Sequence, residues 1–460
     1  METYQIDFRK PNSVWFIGIG GISMSGLAEI LLKEGFHVGG SDAKESALTK
    51  HLVSLGAEIV TGQRAENITD RIDFAVYTAA VHPDNPEYRA CIEKNIPILR
   101  RAELLGQVMK NYRHSIAVSG THGKTTTTSM ITHILLAAKE DPTVSVGGIL
   151  PVINGNIRIG GRDMFVTEAC EYTDSFLAFN PTMEVILNIE ADHLDYFKNL
   201  DNIRASFHKF TKRLPDNGTV IINDRIKDYG EIVKDFKGKV VTFGSKDAHV
   251  SAENIVFDEL ARPAFTFLID GKEADRVQLK VPGEHNVYNA LAAIAVALEL
   301  GIDPSVFEKG LSSFGGAERR FEKKGELDGI TIIDDYAHHP QEIEATLKAA
   351  AHYPHKRIVC VFQPHTYTRT KALLPQFAKA LTLADKVILA DIFPARETDT
   401  LGISSADVAK LIRDDGGDAV FIPTFEGIEN YLLENLLPGD LCITMGAGDI
   451  YLVGEKLLGK

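Results

Sequence analysis

Residues 114–128 place two glycines, a lysine and a run of threonines in the order that phosphate chemistry needs. The apolar stretch Ile116 to Val118 reads as a buried strand, and Met130, Ile131, Ile134 and Leu135 recur at helical spacing after the threonines. Strand, glycine loop and helix therefore follow directly on one another. Gly120 and Gly123 let the backbone around Thr121 and His122 turn its N–H groups toward a triphosphate, and the helix start adds its dipole. Lys124 can reach the β and γ oxygens, and the hydroxyl of Thr125, followed by Thr126, can ligate Mg²⁺. The full pattern asks for a further glycine where Val118 stands, so the loop is a shortened variant. An ordinary glycine turn would explain the glycines but not the lysine and threonine behind them.

A divalent cation bridging phosphates needs a few oxygen ligands and often keeps waters. Two strand ends supply acids. Residues 164–167 end in Glu168, followed by Glu171 and Asp174, and residues 185–189 end in Glu190, Asp192, His193 and Asp195. Ligands of a parallel sheet sit at the carboxyl ends of its strands, so these groups and the glycine loop are expected to converge. Thr125 and Glu168, with His193 as a further member, would form the metal site. Single acids after strands are usually turn or helix-cap residues, but two acid-rich strand ends beside a nucleotide loop are harder to read that way.

A second glycine loop precedes the first in the chain. Val14 to Ile17 reads as a strand, Gly18, Gly20 and Gly21 as the loop, and a helix runs through Leu32. The next strand ends at Ser41 and Asp42, the acid 24 residues after Gly18 and placed for a ribose hydroxyl. Ser23 takes the place of the third glycine of the dinucleotide pattern, and the loop alone fits NAD, another nucleotide or a structural turn. Arg100 and Arg101 before the helical Ala102 to Met109 fit either a diphosphate or a solvated helix start.

Later segments add polar strand ends. From Val220 to Val281 the pattern is short strands and turns. His285, Asn286 and Asn289 then lead into an apolar helix, where they fit an adenine or a helix cap equally well. Gly315 and Gly316 read as a hinge. Beyond it, strands end at Asp334, Asp335, Tyr336, His338 and His339, at Gln363 to Arg369, and at Gly446 to Asp449. Adjacent histidines after paired aspartates favour a functional reading.

The chain has 460 residues, enough for two to four domains, and a net charge of −14 that gives no sign of a large basic surface for nucleic acid. Its four cysteines are widely spaced, which argues against a disulfide framework or a zinc site and fits a cytoplasmic protein. The N-terminus lacks the apolar core of a signal peptide, and the longest apolar run, Ala290 to Leu300, is too short to span a bilayer and reads as a buried helix. No membrane insertion is expected.

Taken together, Phe16 to Gly26, Gly120 to Thr127, Asn188 to Asp195, Pro282 to Ala290, Arg319 to Phe321, Asp334 to Pro340, Gln363 to Thr370 and Gly446 to Asp449 resemble the Mur ligase family over residues 12–454. The resemblance implies an α/β protein of three domains. These are a Rossmann-like UDP-sugar domain at 1–110, a central P-loop ATPase-type domain at 111–317 and a C-terminal Rossmann-like domain at 318–460. It implies ATP and Mg²⁺ as cofactors, and ligation of L-alanine to the lactyl carboxylate of UDP-N-acetylmuramate by a monomer or homodimer, with addition of a recycled tripeptide as the alternative. On this likeness Lys124, His338 and Arg369 act on the reacting groups. Gly120 to Thr126, His285, Asn286, Asn289, Arg320 and Asp335 hold the nucleotide, and Thr125, Glu168 and His193 the metal. Gly18, Gly20, Gly21, Ser41, Asp42, Arg101, Tyr336, His338 and Arg369 face the substrate. Sister ligases carry a lysine where His208 stands, which favours the alanine-adding branch. The run from Cys170 to Asp174 departs from the family's more acidic one, and no role follows for Glu171 or Asp174. A nicotinamide dehydrogenase or a non-catalytic nucleotide switch would leave one or other of these groups unused.

Overall fold

The computed structural model describes residues 4–78, 80–395 and 397–460, so that Met1, Glu2 and Thr3 of the N-terminal stretch lie outside the described residues. Among the described residues the strands form three sheets. In the first, β1 (Ser13–Ile17), β2 (His37–Asp42), β3 (Glu58–Thr61), β4 (Phe74–Tyr77) and β5 (Ile98–Arg100) run parallel in the order β3-β2-β1-β4-β5. The order reverses between β1 and β4, and the glycine loop follows β1 into the crevice that such a reversal opens.

The second sheet holds β6 (His114–Ser119), β7 (Thr143–Leu150), β8 (Gly155–Arg158), β9 (Met164–Ala169), β10 (Met183–Ile186), β11 (Thr219–Asn223), β12 (Lys239–Phe243), β13 (Val250–Phe257), β14 (Pro263–Ile269) and β15 (Lys272–Gln278). Their order is β15-β14-β13-β12-β11-β10-β6-β9-β7-β8. Strands β6, β9 and β10 are parallel and buried on both faces, so they read as continuous apolar runs, whereas the hairpin strands β13 to β15 are antiparallel. Val118 of β6 is in register with Glu168 of β9 and Val185 of β10. The phosphate loop and both acid-rich strand ends consequently leave the sheet at one edge. The helix His285–Glu299 is buried from Asn289 to Ala297, as its apolar run requires, and packs on the helix Lys124–Ala137.

In the third sheet β16 (Glu322–Leu327) runs antiparallel to β17 (Ile330–Asp335), and β17, β18 (Arg357–Phe362), β19 (Lys386–Leu389), β20 (Ala419–Phe421) and β21 (Asp440–Met445) are parallel in the order β16-β17-β21-β18-β19-β20. Gly316, with φ of +112°, turns the chain into this part, as a hinge there requires.

The joints between the sheets differ in chemistry. One apolar cluster runs from Phe16 and Phe74 beside the first sheet, through Leu104 and Val108, to Phe165, Phe176 and Phe207 of the second. Within it the helix Arg101–Met109 approaches residues 172–178 so closely that a β-carbon at Gly106 would stand 2.0 Å from the Ala178 carbonyl oxygen. The third sheet has apolar clusters of its own. It meets the second sheet through polar groups described below. No helix among the described residues is long and apolar enough to cross a membrane.

Candidate active site

The phosphate loop is shaped by its glycines. Gly120 and Gly123 have φ of +138° and +85°, and a β-carbon at Gly123 would lie 2.6 Å from Oδ1 of Asn289. Asn289 donates to Oδ1 of Asn286 at 2.9 Å, and Asn286 donates to the Pro282 carbonyl at 2.7 Å. The asparagines at the start of the buried helix thus pack against the phosphate loop itself. Loop and helix share a cavity of ≈ 300 Å³ that includes His122, Gly123, Thr125, Thr126, His285, Asn286 and Asn289, and it is closed from the third sheet's side by Arg320, Asp335 and Glu342. Burial pushes His285 down to about 4, leaving a neutral ring there.

Lys124 lies within this loop. Its ammonium donates to the Gly120 carbonyl, to the Thr121 carbonyl at 3.0 Å and to Glu171 at 3.4 Å. Burial, the largest influence, works against its charge, but Glu171, itself 2% exposed, together with Cys170 and Glu168 raises its pKa overall. Glu171, to which the sequence assigned no role, is therefore the lysine's carboxylate partner. Asp174 is structural, accepting from Tyr196 at 2.8 Å and from Ser206.

Glu168 accepts from the Gly147 amide at 2.5 Å. A β-carbon at Gly147 would meet the Glu168 carboxylate at 3.0 Å, and one at the adjacent Gly148 would meet Thr125 Cγ2 at 3.3 Å, so both side chains flank one small cradle on β7. A hydroxyl and a carboxylate there suit a hard cation that keeps phosphate and water ligands. His193 has φ of +52° and stacks on Tyr172 with centroids 4.4 Å apart, and burial lowers its pKa toward the neutral, ligating form. Among the described residues no group of three or more His, Cys, Asp or Glu side chains could hold a metal by itself.

A second cavity, ≈ 540 Å³, is lined by Asp192, His193, Tyr336, His338, His365 and Arg369 among others. Arg369 donates to Asp192 at 3.2 Å across the joint. Burial alone would raise Asp192, but Arg369, His193 and His339 hold its carboxyl well below the usual range. Nδ1 of His338 faces the Tyr336 carbonyl at 3.0 Å and Glu342 at 3.2 Å. Both are acceptors, so the neutral ring carries its proton on Nδ1 and Nε2 keeps a lone pair; burial, the main cause, lowers its pKa to about 4. Asp335 is buried and accepts from the Phe321 and Ala337 amides, and burial pushes it up to about 6.

The first glycine loop lies outside both cavities. Gly18 and Ile19 donate to the Ser41 carbonyl at 2.9 and 3.0 Å, Gly20 donates to Asp42 at 2.8 Å, and Gly21 precedes the helix Ile22–Lys33. The Ser41 hydroxyl is engaged by buried Glu87 at 2.5 Å. Burial lowers the pKa of Arg101, and no hydrogen bond or ion pair engages its side chain among the described residues. His208 spends its ring nitrogens on the Ile232 carbonyl at 2.9 Å and Asp235 at 3.1 Å.

Three family models match in series. They are "Mur ligase family, catalytic domain" at 13–113, "Mur ligase middle domain" at 118–297 and "Mur ligase, glutamate ligase domain" at 319–448. The chain is 59% identical over 457 residues to the UDP-N-acetylmuramate–L-alanine ligase of Lachnospira eligens, covering 99% of this chain and 100% of that one. Its fold matches the crystal structure of UDP-N-acetylmuramate–alanine ligase from Thermotoga maritima with TM-score 0.79 and 31% identity, over 97% and 98% of the two chains. A murein peptide ligase from Psychrobacter arcticus matches with TM-score 0.69 and 25% identity over 97% and 98%. The three-domain α/β architecture, the glycine loops and the full-length likeness agree, and the chain belongs to the Mur ligase family.

Proposed function

We propose that this protein is an ATP-dependent amide-forming ligase that joins L-alanine to the lactyl carboxylate of UDP-N-acetylmuramate in peptidoglycan biosynthesis. The observation that carries the reading is the likeness to alanine-adding ligases along 99% of the chain. The two cavities support it, since His122 of the phosphate loop lines the first and Asp192 and His193 line the second, and these stretches follow the paired strands β6 and β10.

The carboxylate is a poor acyl donor, so one of its oxygens attacks the γ-phosphorus and ADP leaves, giving an acyl phosphate. Lys124 turns from Glu171 to the transferring oxygens and stabilises their charge. The alanine amine then attacks the carbonyl carbon, Nε2 of His338 accepts its proton, and the tetrahedral intermediate expels phosphate. Arg369, fixed by Asp192, is placed to bind the anionic groups in this cavity. Closure about Gly316 keeps water from the acyl phosphate. Mg²⁺, held by Thr125, Glu168 and His193, would neutralise phosphate charge when bound.

The first glycine loop and Arg101 would hold the UDP-sugar. We place the domain divisions at residues 110/111 and 317/318, and the protein in the cytoplasm as a monomer or homodimer. The test supplies purified protein with ATP, Mg²⁺ and UDP-N-acetylmuramate. Phosphate release is expected with L-alanine, more slowly with L-serine or glycine because one added hydroxyl or one missing methylene distinguishes weakly in an apolar pocket (about 1–3 kcal/mol for the methylene), and negligibly with D-glutamate or L-Ala-γ-D-Glu-diaminopimelate. Mass spectrometry identifies the product, and preference for the tripeptide would make this a recycling ligase instead.

A further inference from the structure

Glu342 is the third residue of the helix Pro340–Ala351, and its two carboxylate oxygens serve different parts of the molecule. Oε2 accepts from the His338 and His339 amides at 3.0 and 3.2 Å and lies 3.2 Å from Nδ1 of His338. That is the return half of a capping box, and it fixes the loop that carries His338. Oε1 turns the other way. It reaches Nδ1 of His122 in the phosphate loop at 3.2 Å, 220 residues away in sequence, and lies 4.0 Å from Arg320 on the wall of the nucleotide cavity. The opposite ring nitrogen of His122 faces Glu190 of the central part and the Gln341 side-chain oxygen of the C-terminal part, each at 3.4 Å, so the imidazole is held from both sides of the joint. A helix cap explains Oε2 and leaves Oε1 without a reason.

We propose that Glu342 is a positioning residue that ties the phosphate loop to the His338 loop, so that a nucleotide seated on the one sets the geometry of the other. The inference rests on the ligase reading for His338's part in the reaction. When ATP settles against His122, the ring's position is transmitted through one carboxylate to the backbone on either side of His338. Chemistry at the second cavity is thereby made conditional on occupancy of the first.

The test separates tie from cap. Glu342→Gln keeps an acceptor oxygen for the amides, since Gln serves in a capping box as Glu does, but removes the charge that holds His122. It is expected to keep the wild-type melting temperature while kcat falls roughly tenfold, as for coupled residues in contact. His122→Asn combined with Glu342→Gln is expected to cost no more than the larger single loss. Unchanged kcat in Glu342→Gln, or losses that multiply in the double variant, would overturn the proposal. A readout independent of ligation is amide hydrogen exchange of residues 336–342. ADP is expected to slow it in the wild type and to leave it unchanged in Glu342→Gln, and a wild type that does not respond to ADP also overturns the tie. Should the wild type respond to ADP yet fail to ligate alanine, the functional reading falls and the tie stands.

Discussion

The joint between the first and second sheets and the joint between the second and third are built from opposite materials. The first is a continuous apolar cluster sealed by the backbone contact at Gly106. The second is made of charges and hydrogen bonds: His122 with Glu342, Arg369 with Asp192, and His339 with the Ala191 carbonyl at 3.2 Å. Separating apolar surfaces exposes them to water at a cost that grows with area, about 25 cal/mol per Å². Polar partners can exchange each other for water with much less net loss. The first joint is therefore expected to hold two sheets as one body, and the second to open and shut around Gly316. An enzyme that must admit ATP and then exclude water needs one joint of each kind.

Four experiments break or sharpen this contrast, in order of expected effect. Lys124→Ala touches neither joint and is expected to lower turnover by at least about 10²-fold, since it removes charge aimed at the transferring phosphoryl group. Buried Glu171 loses its partner in this variant, so a lowered melting temperature is expected beside the kinetic loss, and near-normal turnover with bound ATP would displace Lys124 from the chemistry. Gly106→Ala attacks the apolar joint. The added methyl must push residues 172–178 away, at about 1–3 kcal/mol of stability, and thermal unfolding should report a loss shared by the first two sheets. An unaltered melting curve would mean that this joint is looser than its packing implies.

The proposed metal ligands lie between the joints, with Glu168 inside the second sheet and His193 lining the cavity at the polar joint. Glu168→Gln and His193→Ala are each expected to raise the Mg²⁺ concentration for half-maximal rate severalfold, because few protein groups share the ion. If only His193→Ala does so, the ion belongs to the joint rather than to the sheet. The smallest effect is that of pH. Burial alone would lower His122, but Glu190 and Glu342 push it up to about 10. Its folded value thus exceeds the usual value of about 6.5, so its contribution to the polar joint is complete below that pH and is lost as pH rises through about 10. Small-angle scattering across pH 8 to 11 should show the molecule opening at the upper end while the first two sheets stay together. Opening near pH 7 would contradict the assignment.

Much of this was legible in the residue order. The strand ends, the glycine loop and the helix behind it follow from local patterns, and His193, His338 and Arg369 lie in the segments that follow β10, β17 and β18, on the side where a parallel sheet gathers its ligands. The short strands from Val220 to Val281 are present, with one brief helix, Tyr229–Val233, among them. What local pattern does not carry is partnership at long range. Glu171 looks like any acid after a strand until Lys124, 47 residues earlier, is seen to pair with it. The hairpin of β7 and β8 has no clean alternation, so the cradle of Gly147 and Gly148 beside Thr125 and Glu168 left no trace in the pattern. Glu342 did leave one, as an acid at the third position of a helix after His339 and Pro340, but that signal speaks only of a cap.

The pairing of Lys124 with Glu171 has a consequence for turnover. If Lys124 acts as proposed, a cation already satisfied by a carboxylate and two carbonyls must exchange partners when a γ-phosphate arrives, so the gain on binding is a difference and the nucleotide is held less tightly than an idle lysine would hold it. After phosphoryl transfer the ADP that remains no longer carries the group for which the lysine left Glu171. The ammonium has a place to return to, and in the proposed mechanism the spent nucleotide loses its contact with Lys124 at the moment when it must depart. A residue that competes with the substrate in the resting enzyme thus becomes, one step later, an aid to clearing the product.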